Sequence, residues 1–159
     1  MIDKEDLFKT VKTALEQGKT VSFIRTWTGQ YVMGDRRFSN INHTIKVDDE
    51  TVFSKDYETD RDCDIDYDNV FRELRKRIYI MLRNQALKLL AQQLGYQSVQ
   101  ELDEKAEILG DDEGNVLVGT EDGKVYSAVF RRESFFHSPG KHIETYVFHK
   151  PKIILPKDA

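Results

Sequence analysis

Cysteine is nearly missing from this chain. Cys63 is the single one in 159 residues, which excludes an internal disulfide framework and agrees with a reducing compartment. Long apolar runs are missing as well. No stretch approaches the roughly 20 apolar residues that a membrane-crossing helix needs, and the N-terminal MIDKEDLFKT is charged where a secretion signal would be apolar. A soluble, cytoplasmic protein with no membrane partner is therefore expected. Internal repeats and linker-like stretches are also lacking, so one α+β domain over residues 1–159 is expected, or two lobes, 1–58 and 66–159, sharing a central helix.

Catalytic and cofactor motifs are equally scarce. No GxSxG elbow accompanies the serines. Gly29 and Gly34 have the outer spacing of a phosphate-binding loop, but Asp35 and Arg36 stand where its Lys-Ser/Thr pair would hold phosphate and magnesium. His43, His137, His142 and His149 do not form the close pairs of a metal site. Cys63 lies among aspartates, whose negative charge disfavours the thiolate a nucleophile needs. No catalytic residue, metal or cofactor is assigned, and an enzyme would require a site assembled only in three dimensions.

What the chain does have is charge, sorted by block. Charged residues make up 33% of the sequence for a net charge of only −4. Counted by segment, residues 1–47 carry +3, 48–68 carry −8, 69–100 carry +5, 101–123 carry −8 and 124–159 carry +4. Blocks of opposite sign must either be spread into water or set against one another.

Hydrophobic spacing outlines the fold. Leu7, Val11, Ala14 and Leu15 make a short amphipathic helix between an N-cap at Asp3 and a stop at Gly18. TVSFIRTW and QYVM read as two strands about Thr28-Gly29, and HTIKV with TVF as a hairpin about Asp48-Asp49-Glu50. A long central helix follows, with Phe71, Leu74, Ile78, Met81, Leu82 and Leu89 in one stripe. Ile80, Leu87 and Leu94 lie outside it, which predicts wider burial in its second half. Gly95 ends that helix. Ser98 and Glu101 form a capping box for a short helix to about Ala106, and Gly110 with residues 111–115 then reads as punctuation. VLVGTEDGKVYSAVF makes a hairpin at Asp122-Gly123, and HIETYVFH with KIILP supply one or two last strands, with Pro151 and Pro156 at an edge. The expected fold is an N-terminal helix with antiparallel hairpins, a long central helix and a second antiparallel β segment.

Two charged features suggest binding. Glu58, Asp60, Asp62, Asp64, Asp66 and Asp68 place a carboxylate at every second position, and on a strand such residues share one face about 6.6 Å apart. The row could mimic a phosphate backbone and dock on a basic protein surface, such as that of a nucleic-acid-processing protein. It partly resembles a calcium-binding EF-hand loop, with Asp62, Asp64, Asp66 and Glu73 at positions one, three, five and twelve, but Tyr67 occupies the turn position that needs glycine. The second feature is the face of the central helix bearing Arg72, Arg75, Lys76, Tyr79 and Arg83, a candidate reader of nucleic-acid phosphates that lacks the interleaved aromatics of a single-strand binder. Arg131 and Arg132 precede Phe135, Phe136 and His137, a run that could form an exposed recognition patch, although its alternate members are expected in the core. The favoured expectation is a non-enzymatic regulatory or inhibitory protein acting through its acidic surface, with direct nucleic-acid binding through the helix as the alternative.

Overall fold

The computed structural model describes residues 3–33, 36–60, 69–111 and 114–157, of which 30–33, 36–39, 57–60, 69, 111 and 155–157 are described through their backbone alone. The order of elements is α1 (Lys4–Glu16), β1 (Val21–Met33), β2 (Arg36–Val47), β3 (Glu50–Asp60), α2 (Asn69–Gln93), α3 (Val99–Lys105), β4 (Glu107–Asp111), β5 (Asn115–Gly119), β6 (Val125–Ser138) and β7 (Lys141–Lys157). The protein is thus α+β, with a helix and antiparallel strands, a long central helix and a further antiparallel β segment. Two compact units share this chain. One comprises Met1–Lys76 with Glu133–Phe148, the other Arg77–Arg132 with His149–Ala159.

In the first unit the strands are hydrogen-bonded in the order β3-β2-β1-β7-β6. The apolar stripe of α1, Leu7, Val11, Ala14 and Leu15, is buried as its spacing predicts. The core is completed by Val21 and Phe23 of β1, Ile41, Ile45 and Val47 of β2, Phe71 and Leu74 of α2, and Phe148 of β7. Phe23 sits at its centre, edge to face with Phe71 and with Phe148 at ring separations of 5.4 Å each, geometry that suits the aromatic quadrupole.

Both α1 and α2 end in the same way. The amide of Lys19 bonds the carbonyl of Ala14 and that of Gly18 bonds Leu15; after α2, Tyr96 bonds Ala91 and Gly95 bonds Gln92. These paired bonds close a Schellman turn, which requires the left-handed backbone that Gly18 and Gly95 adopt at φ 81° and 79°.

The β2–β3 turn falls at Asp48-Asp49 as expected. Asp48 has φ 51°, and its Oδ1 accepts bonds from the Thr20 amide at 3.0 Å and the Thr20 hydroxyl at 3.3 Å. The reading of two strands about Thr28-Gly29 is corrected: β1 is continuous through them. Its register against β2 jumps between Thr28 and Gln30, so Gly29 is a bulge rather than a turn, and its amide bonds the carbonyl of Gly140 at 2.9 Å.

In the second unit the order is β7-β6-β5-β4. Val116 and Val118 of β5 alternate into the core with Ala128 and Phe130 of β6, and Leu102 of α3 joins them. Along α2 the buried positions Ile78 and Leu82 are followed by Ala86, Leu87, Leu90 and Ala91, so that adjacent pairs widen the buried arc. Wider burial of that half is what the apolar residues outside the main stripe predicted, although Ile80 is itself exposed.

The capping box forms around Ser98. Its hydroxyl accepts the Glu101 amide at 3.1 Å, and the Glu101 carboxylate accepts the Gln97 amide at 3.0 Å. That bond, with a second from Lys105, holds the Glu101 carboxyl below its ordinary range. The expected punctuation after α3 proves to include strand β4, whose pairing with β5 is interrupted between Ile108 and Gly110. Pro151 lies on β7 beyond Phe148, the residue opposite the first residue of β1, so it breaks no bond to β1.

Gly114 has both a backbone and a packing reason to be glycine. Its φ is 84°, and a Cβ there would overlap the Cβ of Arg131 and approach its Cα to 3.1 Å. Its carbonyl meanwhile accepts the Phe130 amide at 2.9 Å. Gly114→Ala should therefore destabilise the protein by about 2–4 kcal/mol, from left-handed backbone strain plus overpacking, as read by urea unfolding. A loss within experimental error would mean that this close approach does not constrain the fold.

Candidate functional site

Alternate residues on one face of the first unit's sheet change character within one strand pair. Val21 and Phe23 of β1 are buried and apolar, and the next residue on that face, Arg25, is a half-buried arginine. On β2, Val47 and Ile45 lead to His43; on β7, Phe148 and Tyr146 lead to Glu144. Register aligns the three polar residues, because Arg25 pairs with His43 on one side and with Glu144 on the other. Directly opposed residues share a face, so a row of His43, Arg25 and Glu144 crosses three strands.

The first turns of α2 supply the other wall. Phe71, Arg72 and Arg75 join that row to line a cavity of about 170 Å³. His43 is 1% exposed and its ring stacks on Phe71, centroids 4.1 Å apart and planes 19° apart. The Arg75 guanidinium lies 4.1 Å from the Tyr146 ring centroid and 5.8 Å from that of Phe71. Three guanidinium groups from two elements thus meet one carboxylate and one imidazole. A larger, open groove of about 490 Å³, lined among others by Lys9, Gln17, Lys19, Val47 and Val52, brings together no such set.

Beyond the cavity, β7 continues a hydrogen-bonded chain. Glu144 accepts on one oxygen from the Tyr146 hydroxyl at 3.4 Å, and its other oxygen lies 3.3 Å from Nε2 of His142. His142 Nδ1 is in turn 3.3 Å from Nδ1 of His137 on β6. A carboxylate can only accept, so Nε2 carries the proton of a neutral His142 and its Nδ1 presents a lone pair. Burial raises the Tyr146 phenol above its ordinary range, against the lowering pull of the Arg75 charge and with Glu144 and Glu133 adding to the rise.

The expected site residues are distributed unevenly around this geometry. Arg72 and Arg75 line the cavity, whereas Lys76 is exposed. In the second unit, Tyr79 packs 5.2 Å from the Phe130 ring with the Arg131 guanidinium 4.8 Å above it, and Arg83 is half-buried. Glu58 and Asp60 lie on β3, opposite Asn40 and Phe38 in the backbone register. Asp62, Asp64, Asp66 and Asp68 lie outside the described residues, as do Cys63 and Tyr67. Glu73, the last of the EF-hand-like positions, is ion-paired with Lys4 at 2.9 Å.

The expectation that alternate members of the run at Phe135, Phe136 and His137 enter the core is corrected. Phe135 and Phe136 are 58% and 54% exposed, because they lie near the end of the long β6–β7 hairpin, where alternation alone does not guarantee cover. Phe135 touches the same cluster, edge to face with Tyr146 at 6.3 Å. Arg25, His43, His142, Glu144 and Tyr146 were not singled out from sequence as site residues. A signal for them exists: Val-x-Phe-x-Arg, Ile-x-His-x-Ile and Glu-x-Tyr-x-Phe each set a polar residue in an apolar alternating row.

Among the described residues no group of three or more His, Cys, Asp and Glu side chains is disposed to hold a metal ion. No protein-family model matches this chain, and no curated protein or solved structure shows significant similarity to it.

The raised Tyr146 phenol gives a pH expectation. An acid with a raised folded-state value contributes stability that is present below the ordinary tyrosine range, near 10, and is lost as pH rises through the raised value. The difference in phenolate absorbance between wild type and Tyr146→Phe should show a single midpoint above that range. A midpoint near 10 would contradict the burial.

Proposed function

We propose that this chain binds single-stranded nucleic acid and seats one backbone phosphate in the cavity of the first unit. The observation that carries this reading is the convergence of Arg25, Arg72 and Arg75 on about 170 Å³. Guanidinium groups match phosphate oxygens in pairs and stay charged at every physiological pH. The volume decides how much of the ligand enters. Pockets for drug-sized molecules run from about 300 Å³ upward, so a phosphate fits and a whole nucleotide does not.

The bases would then lie outside, where Phe135 is exposed beside Tyr146. A basic seat next to an aromatic ring is the combination that holds single strands, since every base has a face to stack. The central helix alone lacks this aromatic; β6 provides it. In anisotropy titrations with labelled single-stranded oligonucleotides, Arg72→Gln should weaken binding about tenfold and reduce the salt dependence by about one phosphate contact. Arg72 is exposed, so the substitution spares the core. Unchanged affinity would overturn the reading.

One observation favours a second reading, that of an acidic regulatory or inhibitory surface for a basic partner. β3 is the outermost strand of its sheet, and Asp56 is exposed on it, with Oδ1 accepting from Asn42 at 2.7 Å. Glu58 and Asp60 follow at alternate positions. Converting Asp60, Asp62, Asp64 and Asp66 to Asn should make capture of this chain on an immobilised basic protein weaker and less sensitive to salt, with the fold unchanged by circular dichroism. Equal capture by both forms would sink this alternative.

A further inference from the structure

We propose that the tip of the β6–β7 hairpin is a metal site, which binds one zinc ion through Nδ1 of His137 and Nδ1 of His142, with Glu144 fixing His142 from behind. The site shares only Glu144 with the arginine-lined cavity, and it does not depend on nucleic-acid binding.

Spacing along the chain hides this pair, and the hairpin makes it. β6 ends at Ser138 and β7 begins at Lys141, so a two-residue turn, Pro139-Gly140, sets His137 across from His142 on hydrogen-bonded strands. Directly opposed side chains share a face. The turn is also held from outside: the Gly140 carbonyl accepts the Gly29 amide at 2.9 Å, and β7 stays in register with β1 as far as the pair of Lys141 with Thr28.

Ring geometry points to an ion. The two Nδ1 atoms are 3.3 Å apart, while the ring centroids are 5.5 Å apart with planes at 67°, so both nitrogens are turned toward the space between the rings. Zinc holds imidazole nitrogens at about 2.0–2.1 Å in a tetrahedral arrangement, which sets two such nitrogens about 3.3–3.4 Å from each other. The pair therefore already stands at ligand separation. A tetrahedral ion sits to one side of the line joining the nitrogens, and His137 is exposed, so its ring can turn to meet it.

The hydrogen bonding agrees with this role. The Glu144 carboxylate, 3.3 Å from His142 Nε2, can only accept, which leaves the lone pair of a neutral His142 on Nδ1. A carboxylate behind a ligating histidine fixes both the ring and its tautomer. In the ion-free pair His137 Nδ1 donates to that lone pair. On binding, its proton moves to Nε2 through solvent and the ion takes its place, with both rings still neutral. Imidazole donors suit zinc, copper and nickel, whereas magnesium and calcium take oxygen. Two ligands from the chain leave the remaining positions of the ion to water. Glu144 is a positioning residue, acting through His142.

The test titrates zinc chloride into the full chain by calorimetry, with excess magnesium present to occupy the carboxylates. One zinc per chain should bind. His137→Ala should remove that binding, and because the side chain is exposed at a hairpin end the substitution spares the core. His149→Ala, whose ring lies 2.7 Å from the Lys150 carbonyl, should leave it unchanged. Glu144→Gln should weaken it about tenfold. Copper gives a second readout. Trp27, the single tryptophan, pairs with His142 in the strand register, so Cu2+ should quench its emission far more in wild type than in His137→Ala, and zinc added first should prevent the quenching. No zinc binding in excess magnesium, or equal binding by wild type and His137→Ala, would overturn the site. Equal quenching in those two proteins would do the same.

Discussion

The Phe71 ring fixes the first turns of α2 to the sheet, and the candidate site depends on that contact. It meets Phe23 edge to face in the core, and it stacks on His43. The first contact is core packing, and the second turns the same residue into a wall of a polar cavity. Phe71 therefore sets the height at which Arg72 and Arg75, one and four residues further along the helix, stand over Arg25 and Glu144. Aromatic packing is short in range and steep in distance, which makes it a better positioning device for guanidinium groups than salt bridges alone.

The charge pattern of the chain acquires a local meaning in this unit. A buried or half-buried cation is costly unless its surroundings compensate. Arg75 lies over two aromatic rings, and strand register sets a glutamate opposite Arg25. A guanidinium has five donors, more than one carboxylate or one ring face can engage. A site built in this way can be held in shape without a ligand and still have donors to offer one.

Much of the fold was legible because it follows local rules. The α1 stripe, both glycine helix stops, the Ser98 cap, the turn at Asp48-Asp49 and the alternation of Val116, Val118, Ala128 and Phe130 all depend on residues near one another in the chain. What escaped depended on pairing. Gly29 looks like a turn until β2 and the carbonyl of Gly140 are in place around it. β4 is too short and too acidic to signal itself. The site is the extreme case: His43, Arg25 and Glu144 are 18 to 119 residues apart in pairwise order along the chain and become neighbours only through the registers of β1 with β2 and β7. Phe135 and Phe136 show the converse, a run with core composition that ends on a hairpin where nothing in the alternation reveals how far the cover extends.

The outermost position of β3 has one more consequence, for self-association. A sheet edge offers unpaired backbone groups to any strand that can lie alongside. On β3 that invitation comes with carboxylates at Asp56, Glu58 and Asp60, so a second copy approaching edge to edge would set like charges against one another. Charged residues along an edge strand disfavour pairing of two copies edge to edge, and the acidic run on β3 has that effect in addition to anything it binds.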